Sequence, residues 1–176
     1  DITERKLAEA EIRRLALYDE LTGLPNRRLL IDRLDSALAA SARDDSHGAL
    51  LFLDLDNFKG INDTLGHEWG DQLLVQVGTR ITASVRATDT VARLGGDEFV
   101  VVVQGLHVQS VAATAESEAV ARKLLVALNQ PYWVRGSEIH STPSIGIALF
   151  HAAQPCGPDL LKRADLAMYQ AKASGR

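Results

Sequence analysis

The sequence predicts an α+β fold with a mostly antiparallel central sheet, and three observations carry that expectation. Segments patterned for helix and for strand follow one another as helix, strand, helix, hairpin, helix, strand, helix. The strand-like stretches "GALLFLDLD" and "EFVVVV" are continuous in apolar residues, as buried strands are. Gly95 and Gly96 join "TVARL" to "EFVVVV" at hairpin spacing.

Each element has its own reason. "DITERKLAEAEIRRLALYDE" is rich in helix formers and spaces Ala8, Ile12 and Leu15 by four and three, which suggests a short coiled-coil-like stalk over residues 1–17. In "ELTGLPNRR", Gly23 and Pro25 break that helix and Asn26 can cap the next. The second helix runs to about Ala42, with Leu30, Leu34 and Leu38 along one face. "GALLFLDLD" is then a buried strand ending in acids, and "NFKGINDTLGHEWG" reads as a connection to a helix from about Asp71 to Val85.

Gly95 and Gly96 are expected to form the two-residue hairpin loop itself, since both tolerate φ > 0. A helix from about Val111 to Leu128 follows, then a short hairpin of "YWVRG" and "EIHST", a strand "SIGIALF" and a helix from "PDLLKRAD" to Ala173. Gly175 stands where a helix C-terminus favours glycine. The order suits a sheet with helices on one face, related to the ferredoxin-like split βαβ unit.

Composition bounds the function. With 176 residues, the chain has room for one domain and an extension. A hydrophobic share of 46% and a charged share of 24% describe an ordinary globular protein. The net charge of −4 provides no overall basic field for a nucleic acid polymer, so a small anion would need local cations or a metal. Cys156 is the one cysteine, and there is neither a signal-peptide pattern nor an apolar run of membrane length. These features favour a cytoplasmic setting without direct membrane insertion. The chain starts within a charged helix and stops just after another, so it reads as a piece of a longer protein.

Asp54 and Asp56, two apart at the end of the first strand, are expected to share one face. A split βαβ arrangement sets that strand beside the hairpin bearing Asp97 and Glu98. Carboxylates this close repel unless a cation or a shared proton intervenes. Hard oxygen donors favour Mg²⁺, which leaves room for phosphates. Each acid alone is read just as well as a solvated strand end. Gly95 and Gly96 would let a bulky ligand approach, though a plain hairpin also wants them. Lys59 follows "LDLDNF", where backbone N–H groups can face a phosphate. Lys172 and Arg176 share one side of the last helix, and there they also complement its dipole.

"RLGGDEF", taken with "FLDLDNFKGINDTLGHEWGD", "DELTGLPNRR", "SIGIA" and "AMYQAKASGR", resembles the GGDEF domain of bacterial diguanylate cyclases. The resemblance spans about Tyr18 to Arg176, making 18–176 the domain and 1–17 a signalling helix. It implies condensation of two GTP into cyclic di-GMP and two pyrophosphates, with Mg²⁺, or Mn²⁺ in its place, as cofactor. By position, Asp54 and Asp97 resemble the metal carboxylates, joined by the backbone carbonyl of Leu55. Asp97 also resembles the base for the ribose 3′-OH, with Glu98 assisting at the metal.

The same resemblance gives Lys59 the role of stabilising phosphate charge, and Asn57 and Phe58 that of offering backbone N–H groups. Lys172 and Arg176 would hold the outer phosphates. Asn62 and Asp71 resemble guanine readers, with His67 near the nucleoside. A carboxylate can accept from both N1–H and the exocyclic amine of guanine, an edge adenine lacks, so Asp71 suits GTP over ATP. Asp71 reads equally as a helix N-cap, Asn62 as a turn residue and His67 as a polar loop residue.

"RATD" places Arg86 and Asp89 in an RxxD arrangement that resembles the family's product-inhibition site for cyclic di-GMP, with Arg122 as a second arginine. A helix ending in an ion pair would look the same. One GTP site per chain implies that catalysis needs a homodimer. "DITERK" resembles the end of a PAS sensor domain, and an EAL domain often follows in this family. The rival readings are a regulatory module that binds GTP or cyclic di-GMP without turnover, and an adenylyl-cyclase-like or polymerase-palm relative using another nucleotide.

Overall fold

A computed structural model of the chain describes residues 1–152 and 154–174. Its elements in order are α1 (Ile2–Leu17), α2 (Arg27–Asp44), β1 (His47–Leu55), α3 (Phe58–Leu65), α4 (His67–Ser84), β2 (Thr90–Gly95), β3 (Glu98–Leu106), α5 (Ser110–Leu128), β4 (Tyr132–Val134), β5 (Ser137–Ile139), β6 (Pro143–His151) and α6 (Gly157–Ala173). The main sheet runs β2-β3-β1-β6 and every neighbour pair in it is antiparallel. That order is the split βαβ arrangement: β3 inserts between β1 and β2, and β6 closes the far edge of β1.

The sheet carries helices on both faces, not on one as expected. On one face Leu51, Leu53, Phe99 and Val101 pack with Leu73, Val77 and Ile81 of α4 and Ala113 and Leu124 of α5. On the other, Leu50, Phe52, Val100 and Val102 pack with Leu30 and Leu34 of α2 and Leu160 and Ala164 of α6. The reason lies in the central strands. A continuous apolar run presents apolar side chains to both sides of the sheet, and each side needs a cover. Fully buried side chains such as Leu50, Leu53 and Phe99 each contribute roughly 1.5–3 kcal/mol.

The approach of α6 is set by Gly146 of β6. A Cβ there would run into the backbone of α6 at Ala164 and Met168. The missing side chain lets the helix lie directly on the strand and carries Lys172 toward the end of β1. By contrast, α1 has no buried residue, and Ile2, Leu7 and Ile12 are 73%, 67% and 67% exposed. Such a helix takes no part in the core, consistent with a stalk.

Two boundaries differ from expectation. "NFKGINDTLG" contains a helix of its own, α3, whose Phe58 is buried and whose Ile61 packs on the same core. Helix α4 then starts at His67, with Gly66 at φ +101 serving both as the end of one helix and the cap of the next. Asp71 therefore lies inside α4 and caps nothing.

Candidate active site

The site is built where β1 ends and the β2–β3 hairpin turns. Gly95 pairs with Glu98, so the two-residue loop is Gly96-Asp97 and not Gly95-Gly96. The register shifts between Arg93 and Gly95, and this irregularity draws Gly95, at φ +144, into the strand. Gly96, at φ +50, then takes the first loop position, where a type II′ turn wants glycine. The displacement matters chemically. It puts Asp97 at the tip of the turn and leaves Glu98 on β3, directly across from Asp54 of β1.

The Asp54 and Asp97 carboxyl groups stand close enough to act directly on each other. Burial pushes the Asp97 carboxyl up to about 7, and the neighbouring Asp54 carboxylate adds to the effect. Burial also raises Glu98, helped by the charges of Asp54 and Asp165 and opposed by Arg27 and Lys172. Lys172 Nζ donates to Asp54 Oδ1 at 2.8 Å. Two like-charged groups this close repel unless a proton or a cation stands with them, and the Lys172 ammonium beside Asp54 is one such charge.

Asp56, expected to join this group, does not. Its side chain is taken up by β6 instead, where Ser144 stands across from Asp54 in register. Asp56 is buried and accepts from Thr142 Oγ1 at 2.6 Å and Ser144 Oγ at 2.8 Å. It is a satisfied structural acid. Among the described residues, no three His, Cys, Asp or Glu side chains are gathered as a metal cluster. The donors that fit a divalent cation are the Asp54 and Asp97 carboxylates and the Leu55 carbonyl, an all-oxygen set suited to Mg²⁺.

Beside these acids, Asn57 adopts the left-handed conformation (φ +57, ψ +28) and turns the chain from β1 into α3. The Asn57 side chain makes no capping hydrogen bond to α3, and the first N–H groups of a helix are suited to an anion. Phe58 anchors this end in the core, while Asn57 and Lys59 are exposed. Farther along, Asn62 lies against Gly70, and its Oδ1 is buried without a partner among the described residues. His67 and Asp71 stand exposed on the first turns of α4 around the same corner. The structure thus makes two groups: Asp54, Asp97, Glu98 and Lys172 at the strand ends, and Asn62, His67 and Asp71 at the α3–α4 corner. Arg176 lies outside the described residues, as does Gly175.

Sequence reasoning missed Arg27, Asp165 and Arg93. Arg27 and Asp165 reach Glu98 from α2 and α6, the helical layer that was not anticipated. Arg93 had one signal, its place four residues before Asp97 in the same hairpin.

A cleft of about 410 Å³ forms between the end of α4, β3 and α5. Arg86, Asp89, Glu116 and Lys123 are among the residues that line it. Asp89 accepts from the backbone N–H of Arg86 at 2.9 Å, and among the described residues no carboxylate pairs with the Arg86 guanidinium. Arg122 is not in the lining. It faces Glu118 one turn back at 3.8 Å, and Lys123 occupies the cleft.

The chain is similar to several known proteins. It is 47% identical over 169 residues to the bifunctional diguanylate cyclase/cyclic di-GMP phosphodiesterase MucR of Pseudomonas aeruginosa, a match covering 96% of this chain and 24% of MucR. The chain thus spans about a quarter of the length of that relative. The solved GGDEF domain of TpbB from Pseudomonas aeruginosa superimposes with a TM-score of 0.82 at 41% identity, over 90% of each chain. The coiled coil and GGDEF domain of DgcB from Caulobacter crescentus, solved in complex with c-di-GMP, gives a TM-score of 0.85 at 28% identity, over 99% of this chain and 90% of that one. Among the described residues no helix is long and apolar enough to cross a membrane. The family model for the GGDEF domain of diguanylate cyclases matches residues 16–176, and the chain belongs to that family.

Proposed function

We propose that this domain joins two GTP molecules into cyclic di-GMP with release of two pyrophosphates. The observation that carries the reading is the Asp54–Asp97 pair, two carboxylates held together at the mouth of a glycine turn beside an uncapped helix N-terminus. A bound Mg²⁺ would supply the positive charge that these acids and a triphosphate both need. The chain's own residues do the rest. Asp97 takes the proton of the ribose 3′-OH, and Glu98 supports the metal side of the site. The N–H groups at Asn57 and Phe58 receive phosphate oxygens, Lys59 opposes charge that develops there, and Lys172 exchanges Asp54 for an outer phosphate. Asp71 and Asn62 accept from the guanine edge.

One such site serves one nucleotide, so two copies must face each other, and the exposed apolar residues of α1 are the means of pairing. Residues 1–17 are then the stalk and 18–176 the catalytic domain, working in the cytoplasm as part of a longer sensor. Cyclic di-GMP returns to the Arg86–Asp89 cleft and inhibits.

The test is incubation with GTP and Mg²⁺ at rising protein concentration. Product that grows more steeply than protein supports a dimeric cyclase. GTP binding without product would instead mark a regulatory module, and strong competition by ATP would contradict the guanine assignments. Arg86→Ala should leave synthesis intact and relieve inhibition by added product; unchanged inhibition would reject the second site.

A further inference from the structure

Arg93 connects two places far apart in sequence. Its Nη1 donates to Asp19 Oδ1 at 2.8 Å, while Nε and Nη2 both donate to the Gly96 carbonyl at 3.0 and 2.7 Å. Its backbone N–H donates to the Pro25 carbonyl at 3.0 Å. Asp19 is held in turn by the Thr22 N–H and hydroxyl, at 2.9 and 2.6 Å. The same turn is stitched to the end of α1, for Asn26 donates from its backbone to the Leu17 carbonyl and from its side chain to the Ala16 carbonyl, each at 2.9 Å. The Arg93 and Asp19 side chains are only 11% and 18% exposed, so solvent does little to weaken the pair.

The peptide plane that carries the Gly96 carbonyl also carries the Asp97 nitrogen. Holding that oxygen therefore holds the backbone on which the Asp97 side chain is mounted. We infer that Arg93 is a positioning residue that clamps the Gly96-Asp97 peptide to the base of α1, so that the angle at which the stalk leaves the domain is felt at the catalytic carboxylate. A guanidinium suits the task because its fork can serve a carboxylate and a carbonyl at once, which a single ammonium cannot do in the same geometry.

The consequence for turnover rests on the cyclase reading above; the mechanical link does not. The experiment compares the whole chain with Arg93→Met, Arg93→Lys and Asp19→Asn in three measurements: amide hydrogen exchange over residues 94–99 and 18–26, thermal midpoint, and kcat and KM for GTP. In Arg93→Met, exchange over 94–99 should rise about tenfold or more, and kcat should fall about tenfold while KM stays within about twofold. Arg93→Lys should recover most of the thermal midpoint but neither turn protection nor kcat. Asp19→Asn should loosen 94–99 as well as 18–26. Unchanged exchange over 94–99 in Arg93→Met would overturn the inference. So would Arg93→Lys recovering kcat in step with the midpoint, the mark of a merely structural pair. A wild-type chain that makes no product would sink the cyclase reading alone, because exchange still decides the clamp.

Discussion

Asp19 and Asp97 sit at the two ends of the Arg93 link, and their carboxyl groups are shifted in opposite directions. Burial acts to raise the pKa of both carboxyl groups. At Asp19 that effect, the largest single one, is outweighed by the Thr22 hydroxyl and N–H and by Arg93, and the carboxyl ends below its ordinary value. At Asp97 the nearest partner is another carboxylate, and the group is pushed up to about 7. The lesson is that burial does not decide whether an acid is structural or functional. Its partners do. Asp56 shows the same kind of partnering: more deeply buried than either, it accepts from the hydroxyls of Thr142 and Ser144.

The strongest way to break this contrast is to neutralise the frustrated acid. Asp97→Asn should lower GTP turnover by about 10²–10⁴-fold, the range of a lost general base. The same change should stabilise the metal-free chain at pH 8, because a repelling charge is gone. For a carboxyl this accessible to solvent the gain is screened to about 1 kcal/mol, or about 2–4 °C in the thermal midpoint. An Asn variant with turnover within about tenfold of wild type would remove Asp97 from the chemistry. One whose metal-free midpoint falls would deny that the two acids strain each other.

The complementary change is measured on stability alone and is opposite in sign. Asp19→Ala strips Arg93 and Thr22 of their acceptor and should cost about 1.5–3 kcal/mol, as expected of hydrogen bonds to a charged group. Chemical denaturation at pH 7 measures it. A loss below about 0.5 kcal/mol would reclassify the pair as an ordinary surface contact.

How much of this was legible beforehand depends on what kind of information each feature needs. The meeting of Asp54 with Asp97 and Glu98 followed from two apolar strands and a glycine turn, all local signals that a fold order could assemble. The second helical layer was written in the same strands, since "ALLFL" and "FVVVV" leave no polar face for solvent. Helix α3 was hidden because Gly60, Gly66 and three asparagine or aspartate residues read as breakers, while its evidence was only the three-residue spacing of Phe58 and Ile61. Asp56 was misread because the two hydroxyls that occupy it, those of Thr142 and Ser144, lie 86 and 88 residues away and leave no local mark. The loop shifted by one residue because the irregularity after Arg93 is a property of pairing, not of composition. Arg93 and Asp19, 74 residues apart, carry no local mark of each other.

The finest test of the contrast is the pH dependence of the metal-free chain, because the two acids should bend the stability curve on opposite sides. Burial and the Asp54 carboxylate push the folded Asp97 carboxyl up to about 7, above its ordinary value of 3.8. Between those values the unfolded chain is ionised here and the folded one still protonated, so the folded state binds more protons. Its contribution is therefore present in full below about 4 and is lost as pH rises through 7. Asp19, with its folded value lowered, does the reverse: its contribution is present above the unfolded value and is lost as pH falls through the folded one. The thermal midpoint in a chelating buffer should thus rise as pH drops from 8 toward 5 and decline again in stronger acid. Asp97→Asn should flatten the upper limb alone and Asp19→Asn weaken the lower limb alone. Saturating Mg²⁺ should flatten the upper limb in wild type, because a cation bound by the ionised pair stabilises the fold most where the acids are deprotonated. A midpoint that climbs steadily from pH 5 to 8 without metal would show that Asp97 is already paired with a positive charge stronger than Asp54's negative one, and the distinction between the two aspartates would disappear.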